Sequence, residues 1–321
     1  MAPLNILIIG GGVAGNALAS LLLLLPLPIT ELPHITIVER SAANSSHGQN
    51  IDVRGTGIEI LGKLGVEDRV KAATTGEEGV RIVDENNRVW AEMAADKTGR
   101  VQTGTSDVEI LRGRLTEILR GRAEELSKQV QAFGGRGIEF INREWLGSLE
   151  QEGDRARVVF ANSGESRSYD LVVGADGLQS LTRKMVWGTE GEEDRLKRIG
   201  AYGGFFSMPK GETDSLWRRW YHAPGKKGIM VRPSDQPDRS TVFMIVVNDE
   251  DTRFQEVAKV GSRSVAGQKA LLSECFRDAG WESERIVSEM NAADDFYYDV
   301  IAQVKMESWS KGRVVLLGDA G

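Results

Sequence analysis

The stretch LNILIIGGGVAG, residues 4–15, decides the fold. Leu4 to Ile9 form a short apolar run, interrupted only by Asn5, that stops at glycines, the pattern of a central parallel strand buried on both faces. A helix-forming stretch follows from Val13 to about Leu25, and HITIVER then predicts a second strand over His34–Val38. Strand, glycine turn, helix and strand make a βαβ unit. Within it, Gly10-x-Gly12-x-x-Gly15 is a dinucleotide fingerprint. The first glycine permits the tight turn, and the second lets backbone approach a pyrophosphate. The third packs helix on strand, while Val13 and Ala14 open a helix whose N-terminus attracts phosphate. Glu39 ends the second strand, where a carboxylate can accept hydrogen bonds from a ribose hydroxyl pair and repel a 2′-phosphate. It stands further along than the usual spacing of about 20 residues, an excess explained by the PLPITELP exit from the helix.

Composition narrows the possible functions. A length of 321 residues suits one large domain or two sharing a core. Forty basic and 47 acidic residues leave a formal charge of −7, so there is no basic field for nucleic acid or an anionic membrane. One cysteine, Cys275, excludes an intramolecular disulfide framework and fits a reducing compartment. Its helical spacing with apolar neighbours reads as a buried structural thiol. Three scattered histidines, His34, His47 and His222, give no metal-ligand cluster. The apolar run LASLLLLLPLPI, 18–29, is too short to span a bilayer, is broken by two prolines, and lacks a positive region before it. The expected location is cytoplasmic.

Further along, Ile58, Leu61 and Leu64 predict a helix ended by Gly65. VRIVDENNRVWAEM predicts a hairpin turning at Asn86-Asn87, and residues 106–132 a helix with Ile110, Leu111, Leu115, Ile118, Leu119 and Leu126 on one face. IEFI, RVVFA and YDLVVGADG read as strands, and residues 197–250 as a sheet-rich region carrying Phe205, Phe206, Met208, Trp220, Tyr221 and Met230. These residues are candidate pocket wall or plain core. A helix over 264–279, a strand from Tyr297 and a last strand at VVLL, 314–317, complete the reading. The charge run EGEEDRLKR, 190–198, is a solvated linker. The expected fold is α/β. A Rossmann-like nucleotide-binding domain is assembled from discontinuous segments, 1–75, 100–190 and 310–321. A sheet-rich substrate region, 76–99 and 191–309, is inserted between them.

Two more motifs share the flavour of the first: VVGADGLQSLTRK, with Asp176, Gly177, Ser180 and Arg183, and RVVLLGDAG, with Asp319. Either aspartate could be local, Asp176 capping a helix begun near Leu178 and Asp319 shaping a turn. Taken in order, the three motifs resemble the single-component (group A) FAD-dependent aromatic-type monooxygenases, related to p-hydroxybenzoate hydroxylase, over essentially the whole chain. GQNIDVRGTG, 48–57, is also similar to a segment of the tetracycline-inactivating branch.

The resemblance implies FAD as cofactor and NADPH or NADH as co-substrate. Oxygen would be delivered through a C4a-hydroperoxyflavin to hydroxylate or epoxidise a small aromatic or polycyclic substrate. It places Glu39 and Arg40 at the adenosine ribose, and Arg112 near the flavin as the arginine of an I-x-R-x-x-L helix. It assigns Asp176 and Gly177 to flavin and nicotinamide handling, Asp319 to the ribityl and pyrophosphate region, and Asp52 to the aspartate of the tetracycline branch. Where the family carries an arginine after the second strand, this chain has Gln49 and Asn50, with Arg54 just beyond. No catalytic base is identified; Tyr297 and Tyr298 either orient a phenol or pack.

In the family the GD turn leads into a helix aimed at the flavin, so the reading expects a C-terminally truncated chain that holds FAD poorly. The alternatives are a catalytically incompetent flavin-fold protein and another flavin oxidoreductase of this fold. A halogenase is disfavoured, since no Trp-x-Trp-x-Ile-Pro segment occurs.

Overall fold

The computed structural model describes residues 3–42, 49–96, 103–258 and 264–321. The chain opens with β1 (Asn5–Ile9), α1 (Val13–Leu23), β2 (His34–Glu39), β3 (Asn50–Asp52), α2 (Thr56–Leu64) and α3 (Glu67–Lys71). The hairpin β4 (Gly79–Val83) and β5 (Val89–Ala94) follows, then β6 (Glu109–Leu111), α4 (Arg112–Ala132) and β7 (Ile138–Asn142). Three meandering strands come next, β8 (Leu146–Glu152), β9 (Arg155–Phe160) and β10 (Ser166–Tyr169), then β11 (Leu171–Gly174), α5 (Leu181–Trp187) and α6 (Glu192–Arg195). The remainder contains β12 (Leu196–Pro209), β13 (Trp217–Ala223), β14 (Lys227–Pro233), β15 (Arg239–Val247), α7 (Arg253–Glu256), α8 (Val265–Phe276) and α9 (Ser283–Ala292). The chain closes with β16 (Tyr297–Val304), β17 (Ser310–Lys311) and β18 (Val314–Leu316).

The architecture is α/β, built on two large sheets. The first has the order β17-β18-β11-β1-β2-β7, and β18, β11, β1, β2 and β7 run parallel. Its centre shows why β1 is apolar at every position from Ile6 to Ile9. Ile6 and Ile8 point to the face covered by α1 and α4, against Ala19, Leu23, Ala123 and Leu126. Leu7 and Ile9 point the other way, onto Leu146, Val158 and Phe160 of the small β8–β9–β10 sheet. A strand alternates its side chains, so it needs apolar residues throughout only when both faces are covered.

The second sheet, β16-β12-β15-β14-β13-β4-β5, takes in the early hairpin β4–β5. Its core side carries Tyr202, Met208, Ile229 and Met244 against Leu272, Phe276, Ile286 and Met290 of α8 and α9. The short ribbon β3–β6 forms its own antiparallel pair.

Some expected boundaries move. The first helix stops at Leu23 because Pro26 follows, and the residue before a proline resists helical geometry. The expected 106–132 helix begins at Arg112, since residues 109–111 pair with β3 and take Ile110 and Leu111 into strand β6. Strands β3, β8 and β10 and helix α9 lie where the sequence predicted no element. The charge run 190–198, expected as a solvated linker, holds α6 and the start of β12, with Leu196 buried and Glu192 paired with Arg183. No helix among the described residues is long and apolar enough to cross a membrane.

The double-sided burial of β1 has a measurable consequence. Leu7 is fully buried, whereas Leu24 just past α1 is 40% exposed. We expect Leu7→Ala to destabilise by about 2–5 kcal/mol, while Leu24→Ala stays within roughly 0.5 kcal/mol of the parent. Urea unfolding followed by circular dichroism measures both; equal effects would contradict this account of the core.

Candidate functional site

The parallel register aligns Ile9 with Gly174 and Gly174 with Leu316, so the turns leaving β1, β11 and β18 lie side by side. The carboxyl ends of strands in such a sheet form the edge where ligands bind. The turns are packed into one another. Gly10 has φ +109°, and a β-carbon on it would run into the Ala175 carbonyl of the second turn. One on Gly15 would strike the Gly10 carbonyl. Gly12 is the opposite case: a β-carbon there would meet nothing within 4 Å, leaving its backbone open for a ligand to approach. The third turn closes on the first, with Gly318 set against Ala14.

Around these turns sit the residues singled out in the sequence. Glu39, half-buried at the end of β2, accepts a hydrogen bond from Gly11 N–H at 2.9 Å and one from Ser41 N–H at 2.8 Å. Arg40 beside it is exposed. Asp176 accepts from Ser180 Oγ at 2.5 Å and from Thr182 N and Oγ1, each at 3.0 Å, so its carboxylate shapes the second turn and the start of α5. That helix begins at Leu181 rather than near Leu178, with Ser180 as its cap. Gly177 takes a positive φ of 76°, and Asp319 is exposed in the one-turn helix Gly318–Ala320.

Arg183 lies at the junction. Fully buried, it donates to the Ala320 carbonyl and the Leu178 carbonyl, both at 2.8 Å, and pairs with Glu192 at 2.7 Å. It therefore ties the second turn to the third.

Asp52 and Arg112 lie on the β3–β6 ribbon and the helix that leaves it. Asp52 accepts from Ser106 N–H at 2.9 Å and faces Arg54 at 3.5 Å. Arg112 heads α4 with an exposed side chain, and its N–H donates to Gln49 O at 3.0 Å. Gln49 N–H donates to the Tyr297 hydroxyl at 3.1 Å, and that hydroxyl donates back to Gln49 Oε1. Asn50 donates to Pro233 O at 3.1 Å and accepts from Thr241 Oγ1 at 2.6 Å. Residues 49 and 50 thus fasten the first half of the chain to the second sheet. Gly48 and His47 lie outside the described residues.

Beside this strap is a cavity of about 400 Å³, lined by Gln49, Phe205, Arg218, Met230, Phe243 and Tyr297. Phe243, Phe205 and Tyr297 stack across adjacent strands, with ring centres 4.3 and 4.8 Å apart and planes within 9° of parallel. Strand alternation divides the other candidates. Met208 and Tyr221 sit in the core with α8 and α9, Phe206 packs there while bordering the cavity, and Trp220 stacks on His222. Tyr298 is buried and donates to Phe254 O at 3.1 Å, so of the two tyrosines only Tyr297 reaches the cavity. Burial lifts the Tyr297 hydroxyl far above the ordinary phenol value, which keeps it protonated. Cys275 is half-buried, and burial pushes its thiol up. A larger depression of about 680 Å³ lies between α4, α9 and the end of β12, rimmed by Arg114, Glu117, Arg239 and Glu289, and contains none of the three turns.

Sequence reasoning missed a buried charge cluster behind the cavity. Glu77 pairs with Arg218 at 2.6 Å and Arg232 at 2.8 Å, and Arg232 reaches Glu109 at 3.0 Å. Glu77 and Arg218 are 141 residues apart, so no local pattern announces them. The two carboxyls are pulled in opposite directions. Burial raises Glu77, but Arg232 and Arg218 outweigh it and hold its carboxyl below the ordinary range. Burial dominates at Glu109, is only partly offset by Arg232 and is reinforced by Glu77, so that carboxyl is raised.

Comparison with known proteins adds to this geometry. The FAD binding domain family matches residues 4–321. The FAD-dependent monooxygenase asL6 of Sarocladium schorii is 33% identical over 99% of this chain and 74% of its own length. Among solved structures, tetracycline destructase Tet(55) superposes with a TM-score of 0.79 at 31% identity, covering 100% of this chain and 74% of its own. Klebsiella pneumoniae HpxO, complexed with FAD and uric acid, shares the fold at 16% identity, with a TM-score of 0.68 over 99% of this chain and 73% of its own.

The charge cluster predicts an asymmetry. Glu77→Gln strips buried Arg218 and half-buried Arg232 of their shared partner and is expected to destabilise by about 3–5 kcal/mol at neutral pH. Glu109→Gln removes a carboxyl whose charged form burial disfavours, so it is expected to cost less stability than Glu77→Gln. Denaturant unfolding of the two variants decides it; equal losses would show that the carboxyls are equivalent.

Proposed function

The chain belongs to the FAD binding domain family, among its flavin-dependent monooxygenases, and from that footing we propose that it uses NAD(P)H and O₂ to oxygenate a small aromatic or polycyclic molecule. The observation that carries this reading is the set of three glycine turns abreast at the ends of β1, β11 and β18, next to an aromatic cavity. The residues fit a flavin dinucleotide. The open backbone at Gly12 and the start of α1 suit the pyrophosphate, and Glu39 suits the adenosine ribose. The exposed Asp319 and Arg112 offer polar groups for the rest of the cofactor. When bound, the flavin supplies the redox and oxygen chemistry.

The chain's own residues then have to bind, orient and exclude water. The cavity is of a size for a small ligand, and its aromatic stack gives an apolar wall. Tyr297, protonated and held by Gln49, serves as a fixed hydrogen-bonding wall rather than as a base. That no nucleophile–base pair is called on is consistent with a reaction whose difficult chemistry belongs to the cofactor. Tet(55), by its name, acts on tetracycline, a polycyclic compound, which supports an aromatic or polycyclic substrate here.

Two measurements test the reading. Apoprotein titrated with FAD should quench its fluorescence and then show NAD(P)H oxidation that rises with ring-containing substrates. A protein that never retains FAD would sink the proposal. Gly12→Val should leave the thermal midpoint of the apoprotein nearly unchanged, because nothing lies within 4 Å of a β-carbon placed there. It should weaken FAD roughly 100-fold by blocking two or so phosphate–backbone hydrogen bonds.

A further inference from the structure

The residue after the fingerprint, Asn16, is fully buried on α1. Its Nδ2 donates to the Gly11 carbonyl at 2.5 Å and to the Gly12 carbonyl at 3.0 Å. The Gly12 carbonyl already receives the first helical bond, from Asn16 N at 3.1 Å. The shorter side-chain bond therefore goes to Gly11, whose carbonyl lies outside the helix ladder. Oδ1 of the same amide has no hydrogen-bond partner among the described residues, which is unfavourable in a buried place. The side chain is thus poorly suited to filling space and well suited to donating.

In a trans peptide, carbonyl and N–H point in opposite directions. Drawing the Gly11 carbonyl inward turns Gly12 N–H outward, and drawing the Gly12 carbonyl inward does the same for Val13 N–H. The Gly11 N–H is already taken by Glu39. Helix α1 has no side-chain cap, so the N–H groups of its first turn are left for an outside acceptor. They border the open space at Gly12.

We propose that Asn16 is a positioning residue for the cofactor: its buried amide holds the Gly11 and Gly12 carbonyls inward and so aims the Gly12 and Val13 N–H groups at a diphosphate. The inference rests on the FAD reading. It adds a determinant of affinity that acts on the phosphates through the backbone, with no contact of its own to the ligand. Preorganised donors bind more tightly than donors that must first be ordered.

The test is a binding titration on apoprotein with FAD, ADP and adenosine as separate probes. Asn16→Leu removes the donors and the orphan oxygen together; Asn16→Asp keeps the shape but sets a carboxylate oxygen against two carbonyls. Both are expected to lose roughly tenfold or more for FAD and for ADP while binding adenosine as the parent does, since adenosine carries no phosphate. If one variant does not fold, the other carries the comparison. Unchanged ADP and FAD affinity, or an equal loss for adenosine, overturns the role of Asn16. A parent protein that binds none of the three overturns the cofactor reading itself.

Discussion

The site geometry depends on one buried cation. Arg183 is fully enclosed, and its guanidinium is met by the Glu192 carboxylate and by the carbonyls of Leu178 and Ala320. A buried charge is tolerated only when it is paired and its remaining donors are satisfied, and removing a partner typically costs about 3–5 kcal/mol. The two carbonyls belong to turns that are 137 residues from the arginine in one case and 5 in the other. The parallel ladder β18-β11-β1 brings those turns to the same edge, and Arg183 fixes the last of them in place. Asp319 sits in the one-turn helix that this tie helps to hold, together with the Leu317 N–H bond to Gly174 O at 2.9 Å and the Gly318–Ala14 contact.

The same logic appears between the two sheets. A three-residue strand, β3, would be a marginal element alone. Gln49 and Asn50 at its start each bond to distant parts of the second sheet, through Tyr297 and through Pro233 and Thr241. The backbone of Gln49 also receives Arg112 N–H. The cavity wall, the second sheet and the head of α4 are therefore joined through two polar residues. The glutamine and asparagine standing where the resemblance led one to look for an arginine are fully used as structural ties.

What could be read from the sequence follows from distance along the chain. The fingerprint, Glu39 and the βαβ unit were legible because their geometry is encoded in contiguous residues: alternation within a strand, glycines at fixed offsets and a carboxylate at a strand end. The hairpin at Asn86-Asn87 and the helix stop at Gly65 were legible for the same reason. Residues 109–111 misled, because apolar Ile110 and Leu111 continue the helical pattern of α4 and only their pairing with β3 makes them strand. The Glu77–Arg218 pair and the Gln49–Tyr297 bond, 141 and 248 residues apart, had no local signature at all. Likewise Phe205 and Tyr221 look alike as aromatic residues in strands, and only the sheet's two faces separate cavity from core.

Asn16 shows a subtler limit. It directly follows the glycine motif, yet motif reasoning passes over it because the fingerprint specifies where side chains must be absent. Missing β-carbons explain how a ligand can approach Gly12; they do not explain why the bare backbone should hold one orientation. Glycine-rich turns are conformationally permissive, and an unrestrained loop would lose much of its binding energy to ordering. The restraint has to come from outside the glycines. Here it comes from three directions: the Glu39 carboxylate on Gly11 N–H, the Ala175 carbonyl packed under Gly10, and the Asn16 amide on the two carbonyls between. Flexibility permits the turn, and these three contacts convert it into a rigid cradle.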